Sequence, residues 1–344
     1  MKTRPVANPP NPWASTGLEY LEEIPRAELI IYEDHTREIV AHNDSPDIGF
    51  DWSVNPYRGC VHACAYCYAR PSHEYLSLGA GTDFETRIHV KTKAPELLRA
   101  TFERPSWKGE LLVFSGVTDC YQPLEASYQL TRRCLEVCAE FRQPVAIITK
   151  GVLVERDVDV LQQLVRDAHA HVRVSVPFWD EDTARAIEPY VATPKRRLRA
   201  IETLAKAGIP VGVNVAPIIP GLSDEDMPRI LAAAKDAGAT SAAYVMLRLP
   251  GHVKDVFEER LREKLPLRAE RVLHRIRETR GGQLYDARWG VRGSGTGLYA
   301  ETIAALFERT ARKVGLQTRC SPPPERTTFR RPAGRNGQLD LFGE

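Results

Sequence analysis

Short apolar segments alternate with amphipathic segments through the middle of the chain. The apolar segments are rich in valine, isoleucine and alanine, and such segments predict strands buried in a parallel sheet. The segments between them repeat their apolar residues at helical spacing. The predicted strands cover residues 111–115, 145–149, 172–176, 211–216 and 242–247, and the predicted helices cover residues 127–141, 156–167, 194–207 and 224–237.

The order of these segments indicates an α/β fold. Gly208 and Gly238 follow two of the helices, at positions where glycine commonly ends a helix. A further strand is predicted before residue 60, and a helix-like run at 66–76 follows it, so the chain contains six strand–helix units. Such an alternation favours a parallel sheet. The count alone allows either a partial barrel or an open doubly wound sheet.

The regions that flank this core have a different pattern. Two short strands are predicted near the N-terminus, at 28–32 and 38–41, and one helix is predicted at 297–314. The last residues are rich in proline and arginine and poor in apolar side chains, which is typical of a disordered segment. The predicted regions are an N-terminal extension at 1–45, a core barrel at 46–250, a C-terminal helical region at 251–320 and a disordered basic tail at 321–344.

Composition narrows the class of protein. The chain has 344 residues, 43% of them hydrophobic, which is enough for a large core. It contains no apolar run of the length that spans a bilayer, and its first fifteen residues lack the apolar centre of a signal peptide. Seven cysteines, three of them clustered, indicate a reducing compartment. We therefore predict a cytoplasmic protein without a membrane segment. The net charge of +2 says little about its partners.

The cluster of cysteines is the most informative chemical feature of the sequence. Cys60, Cys64 and Cys67 lie on one short segment, and Tyr66 directly precedes the third of them. Cysteine thiolates are the usual ligands of iron–sulfur clusters, and three of them leave one iron of a [4Fe–4S] cluster open to a small molecule. A zinc site is the alternative, because His62 lies within the segment and a further histidine lies nearby.

The predicted strand ends supply further candidate residues. Ligands of parallel α/β folds bind at the carboxyl ends of the strands, so polar residues at those positions are expected to meet in one mouth. Lys150 follows the third strand and either lines this mouth or lies on the surface. The other candidates are Ser115, Gly116, Thr118 and Asp119 after the second strand, Ser175 on the fourth, and Asn214 and Pro217 on the fifth.

The cysteine segment resembles the cluster loop of the radical S-adenosylmethionine (radical SAM) superfamily. That loop has the spacing C-x3-C-x2-C, with an aromatic residue before the last cysteine. The resemblance implies a partial (β/α)6 TIM-like barrel with N- and C-terminal extensions. It also implies a [4Fe–4S] cluster whose open iron chelates S-adenosylmethionine, and an electron donor such as flavodoxin or ferredoxin. In such enzymes the cluster cleaves the cofactor and releases a 5′-deoxyadenosyl radical.

Two further phrases resemble the spore photoproduct lyase branch of this superfamily and its relatives in bacteria that form no spores. They are residues 118–123 and 217–221. The resemblance implies contacts to S-adenosylmethionine, although the glutamate of the superfamily's Gly-Gly-Glu motif is absent here. The implied contacts are Ser115, Gly116, Thr118 and Asp119 at the amino group, Ser175 at the ribose or carboxylate, and Tyr66, Asn214 and Pro217 beside the adenine.

The remaining cysteines offer candidates for returning a hydrogen atom to the product. The lyase uses a cysteine for this step, and by resemblance Cys120 or Cys320 would serve here. Cys134 and Cys138 are one helical turn apart and are expected to lie in the core.

The C-terminus ends in a peptide that matches a known docking motif. Gln338, Leu339, Asp340, Leu341 and Phe342 resemble the pentapeptide by which bacterial proteins bind the β sliding clamp. A short amphipathic tail that folds back on its own core is the alternative.

Clamp binding and a basic tail favour DNA as the substrate, in lesion repair or base modification. A radical SAM enzyme acting on RNA, peptide or a small molecule, and a non-catalytic iron–sulfur or zinc protein that binds nucleic acid, are the alternatives.

Overall fold

The structure is a computed structural model that describes residues 28–318 and 327–332. Within these ranges the strands are β1 (Ile30–Glu33), β2 (Val40–His42), β3 (Trp52–Val54), β4 (Tyr57–Arg58), β5 (Arg87–Val90), β6 (Leu112–Phe114), β7 (Val145–Thr149), β8 (Ala170–Ser175), β9 (Val211–Ile218) and β10 (Ser241–Met246). The α-helices are α1 (Thr82–Thr86), α2 (Ala94–Glu103), α3 (Glu125–Tyr128), α4 (Leu130–Glu140), α5 (Val158–Asp167), α6 (Glu181–Ile187), α7 (Pro194–Lys206), α8 (Met227–Asp236), α9 (Val253–Lys264), α10 (Pro266–Glu278) and α11 (Gly297–Val314), and the 3₁₀ helices are Arg70–Leu76 and Val152–Asp157.

Seven strands form the main sheet, in the order β10-β9-β8-β7-β6-β3-β2. Six of them, β3 and β6 to β10, run parallel and stand beside one another in chain order. A parallel pair needs a crossover connection, and helices lie between these strands along the chain. β2 adds one antiparallel strand at the edge. The predicted α/β class with a parallel sheet and terminal extensions is therefore confirmed.

The sheet curves into a partial barrel. Arg292 donates hydrogen bonds to Asp47 and Ser45, which lie between β2 and β3, at 2.5 Å each. The next residue, Gly293, accepts a hydrogen bond from the backbone of Met246 on β10 at 2.9 Å. In a flat sheet, the five strand steps from β3 to β10 would separate these groups by about 24 Å. Two adjacent residues can reach both edges only because the sheet is strongly curved.

The two faces of the main sheet differ in polarity. On β8, Ala170, Val172 and Val174 belong to the main apolar core, which also contains apolar residues of α5 and α7. The alternate residues, His171 and Arg173, point to the opposite, concave face because side chains alternate along a strand. The sequence predicted buried, apolar strands. The interior of the barrel is instead partly polar.

A second sheet of three strands was not predicted. Its order is β1-β5-β4, with β5 parallel to β1 and antiparallel to β4. β4 has only two residues, and it leads directly into the segment that carries the cysteines. The small sheet therefore fixes the start of that segment.

Several predicted elements differ in their details. The helix predicted at 127–141 is divided into α3 and α4 at Gln129, which has a φ of +52°. The helix predicted at 156–167 begins as the 3₁₀ helix Val152–Asp157 before α5. The run predicted at 66–76 is helical only over Arg70–Leu76. None of the described helices is long and apolar enough to cross a membrane.

Residues 327–332 are ordered against the barrel, although the sequence predicted disorder from residue 321 onward. Phe329 packs between the rings of Phe102 and Phe141, with centroid distances of 5.7 and 6.1 Å. Arg331 donates to the carbonyl oxygens of Phe102, Arg104 and Trp107 at 2.9, 2.6 and 3.0 Å. Phe102 and Arg104 lie at the C-terminal end of α2, where carbonyl groups lack partners within the helix. The other predicted region limits stay predictions.

Replacing Phe329 with alanine is expected to destabilise the protein by about 1–2 kcal/mol, because the half-buried ring loses its contacts with two aromatic rings. The shift in the midpoint of urea unfolding measures this effect. Leu267, on α10, is 100% exposed, so Leu267→Ala is the matched control and should change stability by less than about 0.5 kcal/mol. Equal midpoints for the two variants would contradict the packing of residues 327–332.

Candidate functional site

The cysteine loop, residues 59–68, begins at a glycine that no other residue can replace without strain. Gly59 has a φ of +78°, and a Cβ atom there would lie 2.9 Å from the carbonyl oxygen of Phe84. Cys60 donates its backbone N–H to that same oxygen at 3.0 Å. Cys60 and Cys64 are buried, and Cys67 is partly exposed. All three are free thiols within this one loop.

A buried arginine fixes the centre of the cysteine loop. The Arg70 side chain is 0% exposed. Its guanidinium donates to the carbonyl oxygen of Cys64 at 2.8 and 3.0 Å, and to those of Ala80 and Gly81 at 3.0 Å each. It also forms an ion pair with Glu85. These contacts hold the backbone between the second and third cysteines in one position.

The loop that follows β6 holds the other end of the cysteine loop. Gln122 accepts a hydrogen bond from the backbone N–H of Val61 at 3.0 Å and donates to the carbonyl oxygen of Gly59 at 3.1 Å. Thr118 donates to the same carbonyl at 2.8 Å. Thr118, which was predicted to contact the cofactor, thus joins the two loops through its hydroxyl group.

The donor set fits an iron–sulfur cluster. Among residues 28–318 and 327–332, no group of three Cys, His, Asp or Glu side chains is arranged to bind a single metal ion. A cubane cluster needs no such arrangement, because each thiolate ligates a different iron. Burial raises the pKa of the Cys64 and Cys67 thiols, and the ammonium group of Lys150 opposes this effect at both. Lys150 lies 5.5 Å from the centre of the Tyr66 ring. The cationic side chain of Lys150 therefore lies near the thiols of Cys64 and Cys67.

Asp119 connects the cysteine loop to the end of β7. Its carboxylate accepts hydrogen bonds from the Thr149 hydroxyl at 2.5 Å and from the backbone N–H of Lys150 at 2.7 Å. It also lies 3.5 Å from Nδ1 of His62, within the cysteine loop. Burial by itself raises the pKa of Asp119, but the hydrogen bond and charge of His62 hold it well below its usual range. The carboxylate of this predicted cofactor residue thus contacts both the cysteine loop and the end of β7.

A chain of buried polar groups links two predicted cofactor residues. The Tyr66 hydroxyl bonds to Glu188, and Glu188 forms an ion pair with Arg197. Arg197 donates to the carbonyl oxygen of Ser175 at 2.9 Å. No local sequence pattern indicated this network, because its members lie far apart along the chain.

The remaining predicted residues lie at the same end of the sheet. Ser115 and Gly116 have φ values of +92° and +137°. The side-chain oxygen of Asn55 accepts hydrogen bonds from the backbone N–H groups of Val117 and Thr118 at 3.0 and 3.3 Å. Asn214 stands beside Ser175 in the register of β8 and β9, and Pro217 lies near the end of β9. Asn55 was missed by the sequence analysis. Its position directly after β3 was the available signal.

Three cysteines outside the loop lie in the apolar core. Cys120 is 0% exposed and belongs to the main apolar core, as do Cys134 and Cys138. The hydrogen-donor role of Cys120 stays a prediction. Cys320 and the clamp motif at 338–342 lie outside the described residues.

Sequence comparisons place this site within a family. A model described as the radical SAM superfamily matches residues 54–234. An uncharacterized protein of Mycobacterium tuberculosis is 38% identical over 210 residues, which cover 60% of this chain and 62% of that protein. An uncharacterized protein of Methanocaldococcus jannaschii is 31% identical over 176 residues, covering 51% and 63%. The chain thus matches less than two thirds of the length of these relatives.

Solved structures support the same fold. A spore photoproduct lyase variant superimposes with a TM-score of 0.60 at 16% identity, covering 84% of this chain and 81% of that one. The lyase complexed with dinucleoside spore photoproduct gives the same TM-score and coverage. At this identity the likeness concerns the fold alone. Since the family model covers more than half of the chain, the chain belongs to the radical SAM superfamily, whose enzymes use a [4Fe–4S] cluster and S-adenosylmethionine.

Proposed function

We propose that this protein is a radical SAM enzyme that acts on DNA, in lesion repair or base modification, and that the sliding clamp delivers it there. The observation that carries the radical chemistry is the rigid cysteine loop at the carboxyl end of a curved parallel sheet. Cys60, Cys64 and Cys67 would hold the cluster. When bound, the cluster supplies the electron that cleaves S-adenosylmethionine into methionine and a 5′-deoxyadenosyl radical.

The residues around the loop would bind and orient the cofactor. Tyr66 would pack beside the adenine, held in place by its hydrogen bond to Glu188. Ser115 and Gly116 would face the amino group, while Ser175, Asn214 and Pro217 would contact the ribose and adenine from the strand ends. Lys150 would add a positive charge near the cofactor carboxylate or the cluster thiolates.

Two observations support DNA as the substrate. One solved neighbour is a spore photoproduct lyase complexed with a dinucleoside photoproduct, a DNA lesion. That likeness alone concerns the fold, so the second observation carries more weight. The chain ends in a full match to the clamp-binding pentapeptide, at residues 338–342. A protein that binds the clamp is brought to newly replicated DNA.

The direct test is anaerobic reconstitution of the protein, followed by incubation with a reductant, S-adenosylmethionine and a panel of damaged DNA. We expect 5′-deoxyadenosine to form, and one lesion to be consumed. Absence of 5′-deoxyadenosine from a protein with an intact cluster would favour a non-catalytic role. Formation of 5′-deoxyadenosine without any effect on the DNA panel would favour RNA, a peptide or a small molecule as substrate.

Replacing Ser175 with alanine is expected to weaken S-adenosylmethionine binding about tenfold or more, because a hydrogen bond to a charged group contributes about 1.5–3 kcal/mol. Arg197, which pairs with Glu188, donates to the backbone carbonyl oxygen of Ser175, so the variant keeps this hydrogen bond. Iron content should therefore stay unchanged.

The variant Asp119→Ala should behave differently, because Asp119 also contacts His62 in the cysteine loop. We expect this variant to lower both cofactor affinity and iron content. Unchanged affinity in both variants would contradict this cofactor placement.

The double variant Leu341→Ala with Phe342→Ala is expected to abolish binding to the β sliding clamp. The two side chains are the apolar anchors of the pentapeptide, and a short peptide of this kind should bind with micromolar affinity, on the order of −8 kcal/mol. Fluorescence anisotropy of labelled clamp measures the loss. Cluster content and S-adenosylmethionine cleavage serve as controls and should not change. Equal clamp binding by the wild-type chain and the double variant would show that the tail is no clamp ligand.

A further inference from the structure

The loop at residues 288–293 closes the open side of the barrel and holds an exposed tryptophan in a fixed position. The backbone N–H of Gly290 donates to Asp47 at 2.7 Å. Arg280 donates to the carbonyl oxygens of Val291 and Arg292 at 2.8 and 3.0 Å. Together with the bonds of Arg292 and Gly293 to the two sheet edges, these contacts leave the loop little freedom.

Trp289 is the most exposed tryptophan side chain in the described part of the chain, with 55% of its surface accessible. The guanidinium of Arg292 lies 3.7 Å from the centre of its ring. Because Arg292 is itself bound to Asp47 and Ser45, it supports the indole from one side. A rigid aromatic ring with a free side is a stacking platform for a planar group such as a nucleobase.

A second arginine, Arg248, lies close to this loop. Arg248 follows β10, and within the described residues it makes neither a hydrogen bond nor an ion pair; its Nε atom is buried without a partner. Its guanidinium lies 5.3 Å from the centre of the Tyr68 ring, next to Cys67. Arg280 links the two features, because it also donates to the carbonyl oxygen of Leu247 at 2.7 Å. Arg248 as a whole is partly exposed, so its buried Nε donor is available to an anionic ligand that enters the mouth.

We propose that Arg248 and Trp289 form a nucleotide-binding element at the mouth of the barrel, in which Arg248 binds a backbone phosphate and Trp289 stacks on the adjacent base of a single-stranded or unpaired nucleotide. This inference rests on the proposed action on DNA and names the residues that would receive it. The element lies between the cysteine loop and the loop that closes the barrel.

The two residues have different expected signatures in binding experiments. A short fluorescein-labelled single-stranded oligodeoxynucleotide is titrated with cluster-loaded protein at several salt concentrations. Trp289→Ala should weaken binding about tenfold at every salt concentration, and Trp289→Phe should retain most of the affinity. Arg248→Met should weaken binding and also lower the slope of log affinity against log salt by about 0.7, the value for one lost phosphate contact with a single strand.

Matched controls test whether these effects belong to the site. Leu298→Ala removes a side chain that is 79% exposed on α11, and Arg166→Met removes an exposed charge on the outside of α5. Neither should change affinity or salt slope. Affinities of Trp289→Ala and Arg248→Met equal to that of the wild type would overturn the inference while leaving the action on DNA intact.

Two other outcomes would also overturn it. If Arg248→Met binds DNA normally but has a lower affinity for S-adenosylmethionine, then Arg248 serves the cofactor carboxylate. If the wild-type protein cleaves S-adenosylmethionine but binds no oligonucleotide, then the proposed DNA substrate fails and this element fails with it. Should Trp289→Ala not fold, Trp289→Phe and Trp289→Leu still distinguish an aromatic platform from an apolar contact.

Discussion

Replacing any one of Cys60, Cys64 and Cys67 with alanine is expected to abolish the intact cluster and all cleavage of S-adenosylmethionine. Each thiolate would ligate a different iron, so the loss of one leaves a second iron without a protein ligand. Wild-type protein purified without oxygen should be brown and contain about four irons and four sulfides per chain. Iron and sulfide analysis, visible absorption and 5′-deoxyadenosine formation measure the effect.

The core cysteines provide the control for this prediction. Cys138 is 0% exposed in the apolar core, so Cys138→Ala removes a thiol of the same chemistry without touching the cysteine loop. Its iron content should equal that of the wild type. A stoichiometric zinc content in anaerobically purified protein, with no uptake of iron on reconstitution, would contradict the cluster and restore the zinc alternative.

Replacing Arg70 with methionine is expected to lower the free energy of unfolding by about 3 kcal/mol, the lower end for breaking a buried ion pair, because Arg260 remains 3.6 Å from Glu85 as a second cation. Arg70 is fully buried, and its partner Glu85 is 8% exposed. The carbonyl oxygen of Cys64 would also lose both of its bonds to the guanidinium. We therefore expect the variant to retain little iron, although all three cysteines remain.

The matched control for Arg70 is an arginine with an exposed partner. Arg99 pairs with Glu140 on the surface, where their side chains are 39% and 43% exposed. Exposed ion pairs contribute about 0–1 kcal/mol, so Arg99→Met should have a small effect on stability and none on iron content. The midpoint of anaerobic urea unfolding and the iron content are compared for the two variants. Similar results for both would show that Arg70 does not position the cysteine loop.

Local sequence patterns predicted much of the fold. The strand at 145–149 and the helix at 297–314 have the predicted bounds, because an apolar run or a helical repeat reports burial directly. The six parallel strands also follow from these patterns. The division of the predicted helix at Gln129 could not be foreseen, since its apolar repeat continues across the break. The small sheet was missed because β4 has too few residues to form a pattern.

The candidate site was predictable where it depends on spacing and strand ends. The cysteines lie on one loop as their spacing indicated, and Ser115, Ser175 and Asn214 lie at the same end of the sheet. The residues that hold the loop were not predicted. Arg70, Gln122 and the Glu188–Arg197 pair bond to groups whose distance along the chain has no fixed period, so no local rule identifies them.

The sequence by itself determined the strand–helix alternation, the cysteine motif and hence the family, because each is encoded in residues close together along the chain. Only the tertiary structure decided that Cys120 lies in the core, that the barrel interior is partly polar and that Phe329 packs against the barrel. It alone brought Arg248 and Trp289 to the same mouth. These features depend on contacts between residues far apart in sequence, and such contacts form only when the sheet curves and its helices pack.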